Sequence, residues 1–374
     1  MATSANSTKV RLRRLWFQVH KWIGLILAPV VIVICLTGSA LVWHDWVDGA
    51  LNPERSVAAA PSRDAAFYAE AARAVLEPGQ SLQGLRFPAD EGAVVATAGA
   101  PVEPGSRPLS TRYYLHPEDG RLLDRAASDE GAVHVMHVLH GSLYIPGWGR
   151  PIVGWIGVAM LISSLTGLWL WWPFKGGFTR GLRWKRMPTT SGNLHHQGGL
   201  WIAIPLAVLS FTGAWISFPA FFGQFESGPP GPSRAEIFRR MGAPVLAAPA
   251  LTPDGAREAA ATVADGHLVS IDWPREGDSP AWTVTFAGVG GVSVDDVTAE
   301  ATPPSPPPPE TTARLMRRIH DGTDTGLVWQ IIVFLGGLVP TLLAVTGILM
   351  WQRGRRVKGS VRAAYAAERA GADG

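Results

Sequence analysis

The chain has 374 residues, of which 47% are hydrophobic and only 17% charged, with a formal net charge of +3. Four stretches exclude a wholly soluble protein: residues 22–43, 152–174, 198–223 and 325–351 contain no Asp, Glu, Lys or Arg. Each is long enough, at about 1.5 Å per residue, to cross a hydrocarbon core of about 30 Å. The small net charge excludes a nucleic-acid partner, and a single cysteine, Cys35, excludes an internal disulfide and any cysteine-built metal or iron–sulfur site.

In chain order, residues 1–48 hold a basic start and the first span. A signal peptide begins the same way, but 22 apolar residues exceed the usual 7–15. Trp43-His44-Asp45-Trp46 is also no small-residue cleavage site, so a retained anchor is expected. Residues 49–133 form a lysine-free outer segment: Ala65–Leu76 patterns as a helix, Gly84–Thr97 and Thr111–Leu115 alternate as strands, and Pro117-Glu118-Asp119-Gly120 supplies a turn. Residues 134–174 carry the second span, and 175–194 a basic loop in which Lys175–Arg186 holds five basic residues and no acid. Residues 195–224 carry the third span. Residues 225–315 mirror the first outer segment, with a helix near Pro253–Val263 and strands at Leu268–Trp273, Ala281–Phe286 and Gly290–Asp295. Gly228–Pro232 breaks the chain after the third span, and Pro303–Pro309 is a stiff extended linker into the fourth span, within 316–352. Residues 353–374 are a basic tail. All five lysines fall before span one, between spans two and three, or after span four. The positive-inside rule therefore predicts cytoplasmic termini and middle loop, with both long segments outside.

The spans repeat. His20 precedes Gly24 by 4 residues and Thr37-Gly38 by 17; His195 stands in the same relation to Gly199 and Thr212-Gly213. His140 precedes Thr166-Gly167 by 26 residues, as His320 precedes Thr346-Gly347, and Gly157 and Trp171 match Gly337 and Trp351 at the same offset of 180. The expected fold is thus mainly α and membrane-embedded: four transmembrane helices as two duplicated helical hairpins, each carrying a small α+β insertion, related by a pseudo-two-fold axis along the membrane normal.

Histidine at the edge of a span is costly and marks function. The repeat predicts His20 opposite His195 near the inner face and His140 opposite His320 near the outer face, each pair gripping a planar cofactor. Two axial imidazoles leave iron no open position, which suits electron transfer. Without a CxxCH motif the expected cofactors are two haems b, bound non-covalently. Gly24 and Gly199 lie one turn along from the inner histidines, where a side chain would meet the ring; Gly141 and Gly322 follow the outer ones. Alternate ligands are His134, His137, His196 and His44, although the position equivalent to His44 is Pro219. His116 and His267 read as surface residues. Tyr144, Arg150, Arg317 and Arg318 fall near the outer pair, where the arginines meet haem propionates, an anionic ferric chelate or lipid headgroups.

His20-Lys-Trp-Ile-Gly24, Leu139-His140-Gly141 with Gly149-Arg150, Leu194-His195 with Gly199, Ile319-His320-Asp-Gly322 and the Thr-Gly pairs together resemble the PepSY-associated transmembrane family, which includes bacterial inner-membrane ferric-siderophore reductases. Tyr114–Leu122 is similar to that family's Asp-Pro-x-Thr-Gly turn, with His116 where an Asp is usual. At the third span, Asn193-Leu-His-His196 stands where Asp-Leu-His-Arg is common. The resemblance implies two haems b, PepSY-like periplasmic modules, a place in the bacterial inner membrane and one-electron reduction of a ferric siderophore or other ferric chelate. No glycine-rich nucleotide motif opens a βαβ unit, so the electron donor is a cytoplasmic flavoprotein or quinol. Two alternatives stay open: a dihaem subunit serving another periplasmic acceptor, and a haem-free regulatory or binding protein.

Overall fold

The computed structural model describes residues 2–100, 108–173, 177–225, 236, 242–277, 279–304 and 310–372. The chain divides into a helical unit (1–44, 135–227 and 310–374) and a sheet unit (45–134 and 228–309).

In the helical unit, α1 spans Ala2–Val42, α2 Gly131–Ser142, α3 Gly149–Trp171, α4 Thr190–Ser217, α5 Thr312–Asp321 and α6 Leu327–Ala372. Four of these, α1, α3, α4 and α6, are long and apolar enough to cross a membrane. They pack as a closed ring in which α1 touches α3 and α6, and α4 touches α3 and α6. That leaves α1 diagonal to α4, and α3 diagonal to α6. The glycines that match at an offset of 180 sit at contacts between neighbouring helices. An added Cβ at Gly337 would run into the Cys35 carbonyl and Ser39 hydroxyl of α1, and one at Gly157 would lie 3.1 Å from the Ser210 carbonyl of α4. Outward faces carry Leu15, Ile26, Trp155, Trp201 and Ile204, all exposed, as expected of helices whose surroundings are lipid.

Helix ends differ from the apolar stretches for local reasons. α1 and α6 run on through their basic flanks, because Arg, Lys and Ala are strong helix formers. α4 starts at Thr190, capped by the Thr189 hydroxyl accepting from the Gly192 amide, and stops at Ser217 because Pro219 follows. The expected third span, 198–223, therefore shifts toward its N-terminus, and His195 lies inside the helix rather than ahead of it. His140 and His320 ride on α2 and α5, separate short helices and not the starts of spans two and four. α2 ends where Leu143 and Tyr144 adopt positive φ, and α5 ends at Gly322, left-handed with φ 76°. Gly322 is thus required as a helix terminator, a reason other than the clearance expected for it.

The sheet unit holds one antiparallel sheet of eight strands: β1 Ser81–Arg86, β2 Val94–Gly99, β3 Ser110–Leu115, β4 Leu122–Ala127, β5 Leu268–Asp272, β6 Ala281–Phe286, β7 Gly290–Asp295 and β8 Ala301–Thr302. Their order is β4-β3-β2-β1-β5-β6-β7-β8. The expected strand stretch Gly84–Thr97 folds back on itself, so that its two ends, Gly84 and Thr97, pair across a hairpin. The two outer segments, expected as separate modules, join through β1 and β5, where Leu85 faces Ile271. One core serves both: Tyr68, Leu85, Tyr113, Leu115, Ile271, Trp282, Val284 and Val294 are all fully buried in it. The helices Ala65–Arg73 and Pro253–Ala261 pack against the sheet and against each other. Gly228–Pro232 and most of the Pro303–Pro309 linker lie outside the described residues.

Candidate functional site

The helical unit brings the four histidines of the repeat together in two pairs. His20 on α1 and His195 on α4 face each other with ring centroids 6.2 Å apart; His140 on α2 and His320 on α5 are 6.0 Å apart. In each ring Nδ1 meets a backbone carbonyl of a neighbouring long helix: His20 that of Ser163 (3.1 Å), His195 that of Leu343 (3.0 Å), His140 that of Ile34 (2.8 Å) and His320 that of Leu209 (3.0 Å). A carbonyl only accepts, so Nδ1 must carry the hydrogen and donate it. The lone pair then sits on Nε2, the tautomer that ligates a metal, with its orientation held from behind.

Each accepting carbonyl belongs to the residue three positions before the threonine of a Thr-Gly pair. Thr166, Thr346 and Thr212 add hydroxyl contacts to Nδ1 of His20, His195 and His320 at 3.3, 3.1 and 3.0 Å. The glycine clears space for the ring. Among the described residues, the nearest atoms to a Cβ added at Gly38, Gly167, Gly213 or Gly347 belong to His140, His20, His320 or His195, at 2.6, 3.1, 2.9 and 3.4 Å. Sequence reasoning found the Thr-Gly pairs as a repeat without assigning them this task. The signal was available: each motif sits at a constant spacing in sequence from a histidine of the pair that it does not back.

The arrangement also sets depth. On α1, Ile34 lies fourteen residues beyond His20; on α4, Leu209 lies fourteen beyond His195. At about 1.5 Å per residue the two levels are separated by about 21 Å along the bundle, toward opposite ends of a core of about 30 Å.

A cavity of about 930 Å³ opens beside the inner pair, lined by His20, His195, Gly24 and Gly199 among others. A Cβ at Gly24 or Gly199 would meet nothing within 4 Å, so both glycines border open space one helical turn from the histidines. Imidazole rings whose nitrogens each bind one ion at about 2 Å have centroids about 6 Å apart, close to both observed separations. Among the described residues no three His, Cys, Asp or Glu side chains cluster to hold a bare metal ion. The donor set therefore fits a ring that brings its own equatorial nitrogens and needs two axial ligands per iron.

The remaining candidates make other contacts. His196 stacks on Trp171 (centroids 5.8 Å, 19° between planes), and its Nε2 accepts from Arg186 at 3.0 Å, which occupies the nitrogen a metal would need. His44 and His137 face each other at 6.4 Å, His137 one turn before His140 on α2; His134 lies one turn before His137. Gly141 borders open space. Arg150 donates to the Ile216 carbonyl, and Arg317 and Arg318 reach Asp321 (3.9 Å) and Glu310 (3.1 Å). Burial raises the Asp321 carboxyl above the usual carboxylate range, against the opposing pull of Arg317, His140 and His137. Burial, with Arg13 and Arg180 nearby, pushes the Arg186 guanidinium down.

Four long apolar helices with a separate antiparallel sheet define a multi-pass membrane protein. The chain belongs to the PepSY-associated TM region family, whose model matches residues 17–353. No curated protein matches it.

Proposed function

We propose that this protein is a dihaem electron carrier of the bacterial inner membrane, which takes electrons from a cytoplasmic flavoprotein or from quinol and reduces a ferric siderophore or similar ferric chelate on the periplasmic side. In this reading the termini and the basic middle loop are cytoplasmic, and the sheet unit is periplasmic. Family membership and the four-span bundle support the setting. The observation that carries the chemistry is the doubled histidine pair: two levels, each with two imidazoles about 6 Å apart and each Nδ1 committed to a carbonyl.

His20 and His195 hold the inner group and His140 and His320 the outer one, through Nε2. Haem b bound there would supply reversible one-electron chemistry. The residues of the chain hold each imidazole in one tautomer and one plane, through the carbonyls of Ser163, Leu343, Ile34 and Leu209. Such a backing raises the basicity of the ligating nitrogen and keeps the site rigid. The glycines of the Thr-Gly pairs let the rings approach the long helices. The repeat itself is read as a duplication of one hairpin with its insertion.

The test is haem stoichiometry by pyridine haemochrome on purified protein. Two haems b per chain are expected, with one lost in His140→Ala or His320→Ala and the other lost in His20→Ala or His195→Ala. Reduced protein should be reoxidised by ferric siderophores in stopped flow. A colourless preparation overturns the reading.

A further inference from the structure

The inner cavity is charged in a one-sided way. Its lining includes six cations, Arg13, Arg14, Lys21, Arg186, Arg355 and Lys358, and no Asp or Glu. Trp171, on the same lining, is 4% exposed, and its indole Nε1 is buried without a hydrogen-bond partner. A buried N–H left unpaired is costly, so the position calls for an acceptor. Arg186 is held beside it. Its Nη1 donates to the Trp171 carbonyl (3.0 Å) and to His196 Nε2 (3.0 Å), and His196 in turn stacks on the indole. Both Nη1 hydrogens are thereby spent, while Nε and Nη2, the edge suited to a two-point grip on a carboxylate, take no hydrogen-bond acceptor among the described residues. Arg13 cannot substitute, because it donates to the carbonyls of Leu170 and Trp172.

We propose that Trp171 Nε1 and the free edge of Arg186 form a seat for the ring carboxylates of the inner cofactor, with His196 holding the arginine in place. This rests on the dihaem reading and adds to it the residues that orient the inner ring. His196 is then a positioning residue rather than a ligand.

The experiment uses full-length protein carrying His140→Ala, so that only the inner pair is read. It is produced without haem, purified in detergent and titrated with protohaem and with protohaem dimethyl ester, whose carboxylates are blocked. The parent should bind protohaem about tenfold more tightly than the ester. Trp171→Phe and Arg186→Gln should each remove most of that preference, weakening protohaem while leaving ester binding within about twofold. Equal affinity for the two forms in the parent, or a preference that survives both substitutions, overturns the seat. Arg186→Lys, which keeps the charge but not the two-point edge, should lose the preference as well and serves where the glutamine variant does not fold. No binding of either form by the parent sinks the dihaem reading instead, so the two failures are distinguishable.

Discussion

His140 donates its Nδ1 hydrogen to Ile34 and lies against Gly38, so the smallest change at Gly38 acts directly on the ring: an added Cβ would stand 2.6 Å from it. Gly38→Leu should therefore displace His140 and remove the outer haem alone, lowering the pyridine haemochrome count from two to one. Gly24→Leu makes the opposite case. A Cβ there meets no protein atom but projects into the inner cavity, so the inner haem should be lost and the outer kept. If both variants retain two haems, these glycines are packing features of the helices and the rings lie elsewhere. The histidines and their spacing were legible as residues. The atom each ring gives up to a carbonyl was not, because the carbonyl belongs to a different helix more than a hundred residues away in all four cases, and its identity depends on how those helices cross.

Helices and strands were legible wherever a local pattern decides them. Ala281–Phe286 and Gly290–Asp295 alternate and are strands with those bounds. Boundaries went astray where tertiary demands took over: α2 and α5 stop short of the spans they lead into, and the stretch from Gly84 to Thr97 becomes a hairpin. The junction between the outer segments was not legible at all, since β1 and β5, the two central strands, carry no local mark of their partner. One side chain reports on that junction. Asp254, at the start of one helix, accepts hydrogen bonds from the amides of Ala65 (3.0 Å) and Ala66 (2.8 Å) at the start of the other. These amides belong to the first helical turn, which has no acceptors of its own. Asp254→Ala should cost about 1–2 kcal/mol of sheet-unit stability, read as faster hydrogen exchange over residues 65–73. Unchanged protection there would mean the two helices do not depend on one another.

For the whole molecule, the bundle places α1 diagonal to α4, so that residues 175 positions apart in sequence confront each other across the ring. Its orientation in the bilayer can be read by labelling. With Cys35→Ser as background, Ser128→Cys should react with a membrane-impermeant maleimide in intact cells, and Ser360→Cys only after lysis. The reverse pattern would put the termini outside and with them the basic ends of α1 and α6. Four spans, the repeat and the identity of the histidines were determined by the amino-acid sequence alone, because apolar length, charge distribution and spacing are properties of a chain read in one dimension. Which carbonyl backs each imidazole, why each Thr-Gly pair is needed, how two insertions become one sheet, and how Trp171, Arg186 and His196 converge on one cavity were decided only by the tertiary structure. Contacts of that kind form between segments whose sequences carry no record of the distance that folding will leave between them.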